Sequence, residues 1–175
     1  MTADNRQRVQ AWLRTIGCSP DPQHDPNAAW NYRIDYPVKT PHVMHVISPK
    51  STPNAVIIGS GTTLAPELLA TFSQLDGETQ DDFLLDLMRT LNVIEVDFQV
   101  FGVQGPRSCP TSFRVGVTRY DDGLTLDSFA RSLGAVYKTE MNALFVIQRY
   151  LGSGAPGPGG GPGGPPGMHC CWGLS

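Results

Sequence analysis

The chain has 175 residues, with 13 Lys or Arg against 16 Asp or Glu and a formal net charge of -3. The cations are scattered singly, so the clustered positive footprint that phosphate backbones demand is missing and no nucleic-acid partner is expected. The longest apolar run, Ala143 to Ile147, falls far short of the roughly 20 residues that span a bilayer, which excludes a membrane span of the helical kind.

Every charged side chain lies at or before Arg149, whereas residues 152–167 hold 9 glycines and 5 prolines. This break predicts a single domain over residues 1–151, large enough to bury a core without disulfides or metals. It is followed by a flexible Gly/Pro-rich linker over 152–167 and a disordered Cys- and Trp-containing tail over 168–175. Met1 to Arg6 offers no apolar segment of the secretory kind, so the expected compartment is the cytoplasm. Cys18 and Cys109 stand alone, and Cys170 and Cys171 are adjacent in the tail, a spacing that makes no disulfide framework.

In chain order, Val9, Trp12, Leu13 and Ile16 recur at helical spacing, and Gly17 is placed to end that helix. Trp30, Tyr32, Ile34 and Tyr36 alternate with polar residues as a strand does. Further strands are expected at about His42 to Ser48 and Ala55 to Ile58, joined by the turn-forming Pro49 to Pro53. Gly59 to Thr63 reads as a loop, with Thr63 capping a helix from Leu64. Asp76-Gly77 breaks this helix, and a second part runs from about Glu78 to Leu91. Val93 to Val103 is the longest strand candidate, and Thr111 to Arg119 pairs with it. Thr125 caps a last helix from Leu126 to Tyr150. The fold class is α+β: an antiparallel sheet of about five strands with flanking helices, in the order α-β-β-β-α(broken)-β-β-α.

No catalytic constellation emerges, and no metal or other cofactor is expected. Gly59-Ser-Gly-Thr-Thr63 sits between strand and helix, where backbone N–H groups can cradle an anion. Leu64 stands where a dinucleotide fingerprint needs glycine, so Gly59, Gly61, Thr62 and Thr63 make only a weak anion-site alternative, for a small-ligand binder or an enzyme. His42 and His45 have chelating spacing on a helix, but on a strand an odd offset sends them to opposite faces. Cys109 lies in a loop with no histidine locatable beside it. The acidic group Asp76, Glu78, Asp81, Asp82 and Asp86 reads as a solvated helix face. Trp30, Tyr32 and Tyr36 read as core. The strand Val93 to Val103 carries large apolar residues on both faces, and the preceding helix has a wide apolar stripe. Phe83, Leu87, Met88, Val93, Phe101 and Val103 are therefore the candidate surface for a homodimer or for a protein client.

Two segments, Tyr36 to Lys50 (YPVKTPHVMHVISPK) with Ala55 to Ile58, and Tyr120 to Phe129 (YDDGLTLDSF) with Val146 to Tyr150, resemble a prokaryotic domain family of unknown function. Asp82 to Leu87 (DFLLDL) fits the same family's middle helix, and the resemblance covers roughly residues 7–151. The element order is similar to that of type III secretion chaperones, small α+β proteins that dimerise and bind extended segments of other proteins. The resemblance thus implies a non-enzymatic, chaperone-like homodimer. It supplies no catalytic residue, and the Gly/Pro tail departs from it.

Overall fold

The computed structural model describes residues 3–152. The expected linker beyond Gly152 and the tail 168–175 lie outside the described residues. Along the chain come α1 (Ala3–Ile16), β1 (Asp21–Pro22), β2 (Ala28–Tyr36), β3 (His42–Pro49), β4 (Ala55–Thr63), α2 (Pro66–Gln74), α3 (Gly77–Leu91), β5 (Asp97–Phe101), β6 (Ser112–Tyr120) and α4 (Leu126–Leu151). The fold is the expected α+β. Among the described residues the strands form one antiparallel six-stranded sheet in the order β1-β2-β3-β4-β6-β5. The additional strand is β1, two residues too short to leave a periodic signal.

Three boundaries differ from expectation, each for a local reason. β4 runs on through Gly59 to Thr63, because these residues join the β-ladder: Gly59 sits opposite His45. Helix α2 accordingly starts at Pro66, with Ala65 as an N-cap that makes no side-chain bond, so Thr63 is not the cap. β5 is confined to Asp97–Phe101, since after Leu91 the chain turns, with the N–H of Val96 donating to the Val93 carbonyl. The apolar run before β5 is thus a turn, not a strand. The interruption of the middle helix is confirmed: Asp76 caps α3 by accepting from the N–H of Thr79, which holds its carboxyl below the usual range.

By contact density the described residues form two compact units. The first comprises 3–60 with 116–137. Val9 and Leu13 of α1, Tyr32 and Ile34 of β2, Met44 and Val46 of β3, Val117 of β6 and Phe129 of α4 are buried in it. Trp12 and Phe129 stack at 5.8 Å, Arg8 donates to the Leu124 carbonyl, and Asn5 donates to Asp121. Gly17 ends α1 with φ of 90°, the left-handed conformation expected of a helix-terminating glycine. The second unit comprises 61–115 with 138–152. Its core includes Phe72, Phe83, Leu87, Leu91, Phe113, Leu144 and Ile147. Phe83 stacks on Phe72 at 5.5 Å and on Tyr150 at 5.7 Å, while Tyr150 donates its hydroxyl to Asp86 at 2.8 Å.

Candidate functional site

The segment Gly59 to Thr63 makes no cradle. As part of an interior strand, its backbone groups serve the β-ladder instead of converging on a ligand. Thr62 is buried, and its hydroxyl donates to Glu140 Oε1 on α4 at 2.7 Å. The position an anion would need is therefore already given to a carboxyl group of the protein. Ser60 is fully buried and donates to the Val43 carbonyl at 2.8 Å, leaving no exposed hydroxyl for nucleophilic work. Thr63 is exposed at the strand end. The loop on which the anion-site reading rested is absent from the fold.

The two histidines of β3 face opposite ways, as the odd spacing requires. His42 reaches Ser60 Oγ at 3.3 Å and lies 6.3 Å from the Tyr137 ring. Tyr137 in turn meets Tyr36 edge-on at 5.9 Å. His45 is buried on the other face, its Nδ1 3.2 Å from Asn31 Oδ1, with Arg33 directly across on β2. Burial lowers its pKa first of all, Arg33 adds to this, and Asp25 opposes it. The thiols of Cys18 and Cys109 are held protonated. Burial pushes Cys109 up to about 11 and also raises Cys18, where Asp35 adds to the effect. A thiol in that state is a poor nucleophile and a poor metal ligand.

The acidic residues of α3 are largely engaged. Asp76 caps the helix, Arg107 makes a two-point contact with Asp81 at 3.0 and 2.9 Å, and Asp86 receives Tyr150 with Arg149 3.8 Å away. Trp30 and Tyr32 are core side chains.

The expected partner surface divides. Phe83 and Leu87 are fully buried in the second unit and cannot meet a partner, because they occupy the centre of the α3 stripe. Met88 and Val93 are exposed, at 38% and 45%, and so is Val103, at 50%. Phe101 is half-buried, with the Arg114 guanidinium 5.1 Å from its ring centre. Two residues outside the expected set join the exposed ones: Leu85 on α3, and Ile94, which is wholly solvent-exposed at the turn before β5. The assumption of a continuous strand from Val93 hid Ile94. The signal that could have revealed it is Asn92 just after the helical stripe, a residue suited to helix ends and turns. Exposed apolar residues thus recur from Leu85 along the C-terminal half of α3 into the turn after it, and Val103 lies beyond the other end of β5.

A family of uncharacterized conserved proteins, DUF2299, matches this sequence over residues 5–147. Among solved structures, an uncharacterized protein from Methanothermobacter thermautotrophicus is similar at a TM-score of 0.73 and 27% identity, over 83% of this chain and 98% of that one. YbjN from E. coli, a putative transcription regulator by its description, is similar at a TM-score of 0.44 and 14% identity, over 82% and 88% of the two chains. No curated protein matches the sequence.

Proposed function

The chain belongs to the DUF2299 family of uncharacterized conserved proteins, and from that premise we propose that it is a non-enzymatic protein-binding module, chaperone-like, that acts as a homodimer. The observation that carries this reading is the exposed apolar group Leu85, Met88, Val93 and Ile94 in the second unit. Single exposed apolar residues are ordinary, but several that recur along the C-terminal half of α3 and the turn after it are a feature of interaction surfaces. The element order, similar to that of type III secretion chaperones, supports the client half of the proposal. The protonated thiols of Cys18 and Cys109, the spent hydroxyl of Ser60 and the pairing of Thr62 with Glu140 support its non-enzymatic half. No helix among the described residues is long and apolar enough to cross a membrane.

The test is the mass of the full chain by light scattering at tens of micromolar. A dimer is expected, weakened by Ile94→Asp with the far-UV circular dichroism of the folded protomer unchanged, since the Ile94 side chain is fully exposed within the protomer. A monomeric wild-type chain would sink the dimer. For the non-enzymatic half, a thermal-shift panel of nucleotides and inorganic phosphate should leave Tm unmoved, and a shift of several degrees would count against it.

A further inference from the structure

Resting on that reading, we infer that the dimer forms by pairing β5 with β5 of a second copy, antiparallel, about a two-fold axis through Gln99. β5 has a neighbour on one side only, β6, so its other edge is open among the described residues. The N–H of Thr111 donates to the Phe101 carbonyl at 2.9 Å, so the backbone groups of Phe101 point toward the sheet. Those of Phe98 and Val100 therefore point outward, because successive residues of a strand alternate. An unpaired edge of this kind is a template for another strand unless it is blocked. The sequence Asp-Phe-Gln-Val-Phe has no proline and no lysine to block it, and its one charge, Asp97, is a group that the pairing must match with a cation.

The register follows from symmetry and charge. In a two-fold contact, if residue i meets j, then j meets i. Placing the axis at Gln99 lets Phe98 of one protomer exchange both backbone hydrogen bonds with Val100 of its partner, and the reverse. Asp97 then lies opposite the other copy's Phe101. Phe101 carries the Arg114 guanidinium over its ring, so each Asp97 carboxylate meets a cation. Shifting the axis to Phe98 or to Val100 sets Asp97 against Gln99 or Val103 and loses that match. The same register brings each protomer's Val103 toward the other's turn at Val93 and Ile94. This accounts for exposed apolar residues at both ends of a short strand. A helix-face contact through Met88 alone leaves Val103 and the open edge unexplained.

The experiment uses the full chain, its dimer dissociation constant measured by sedimentation. Val100→Pro removes an outward N–H while sparing the bonds to β6, and should weaken the dimer by at least about tenfold. Asp97→Arg and Arg114→Asp should each weaken it, and the double exchange should restore it. That restoration is the signature of a cross-protomer pair, and it decides the matter if Val100→Pro fails to fold. A dimer dissociated by Ile94→Asp but indifferent to Val100→Pro and to both charge reversals overturns the edge pairing and leaves the homodimer standing. A wild-type chain that stays monomeric overturns both.

Discussion

Replacing Thr62 by valine keeps the outline of the side chain and deletes one hydroxyl. That hydroxyl donates to Glu140 Oε1 at 2.7 Å, with both residues buried in the second unit. A net hydrogen bond contributes about 0.5–1.5 kcal/mol between neutral groups and about 1.5–3 kcal/mol to a charged one. At roughly 2–4 °C of Tm per kcal/mol for a chain of this size, Thr62→Val should lower Tm by about 1–6 °C if Glu140 is a carboxylic acid and by about 3–12 °C if it is a carboxylate. Glu140→Gln separates the cases, because the amide oxygen still accepts from Thr62 while the charge is gone. Differential scanning calorimetry of the two variants and the double variant closes the cycle. A Thr62→Val melt indistinguishable from wild type would show that the hydroxyl does not support the carboxyl group, and would reopen Thr62 for a ligand.

Three further outcomes are expected. Burial makes neutral His45 the form that the fold prefers, so its stabilising contribution is complete above the unfolded value near 6.5 and is lost as pH falls through the lower folded value. One proton limits the slope to about 1.4 kcal/mol per pH unit, and His45→Gln should flatten the decline of Tm between neutral pH and mild acid; parallel curves would contradict this. With its pKa near 11, Cys109 should be about 0.1% thiolate at pH 8. In a chain carrying Cys170→Ser and Cys171→Ser, iodoacetamide labelling read by mass spectrometry should accordingly be far slower than for free cysteine, and labelling at the free rate would refute the burial argument. Gly102 has φ of 77°, and a Cβ there would collide with the Thr111 side chain, so Gly102→Ala should cost at least the roughly 1–2 kcal/mol of left-handed backbone, read as a lower midpoint of urea unfolding. Gly105→Ala, where the nearest atom to a Cβ is Ser108 Oγ at 3.7 Å, should be nearly neutral in the same measurement.

The elements legible in the sequence are those whose burial pattern repeats. Val9 and Leu13 on α1, Trp30 to Ile34 on β2, and Phe129, Leu133 and Val136 on α4 each turn one face to the core, and the periods of 3.6 and 2 record it. The cap at Thr125 was equally readable, its hydroxyl accepting from the N–H of Ser128, whereas Asp76, read only as part of a helix break and an acidic face, caps α3 by accepting from the N–H of Thr79. What failed were places where composition suggests one backbone and pairing imposes another. Gly59-Ser-Gly-Thr-Thr63 has the composition of a turn, yet β4 has a strand on each side to draw its backbone into the ladder, and this pairing overrides the weak strand preference of its glycines.

Which residues of the candidate surface stay exposed was half legible for the same reason. A wide apolar stripe on a helix means that more is apolar than one core contact requires, but it does not say which residues are the surplus. Phe83 and Leu87 lie on the axis of the stripe and go to the core, whereas Leu85 and Met88 lie on its solvent side and stay out. Ile94 is exposed because the strand begins later than its β-branched composition suggests, at Asp97, and an isoleucine left in a turn has no inward face to use. Core packing alone would favour a polar residue at such a position. The proposed pairing of β5 edges, which begins just beyond that turn, would supply Ile94 with a contact outside the protomer.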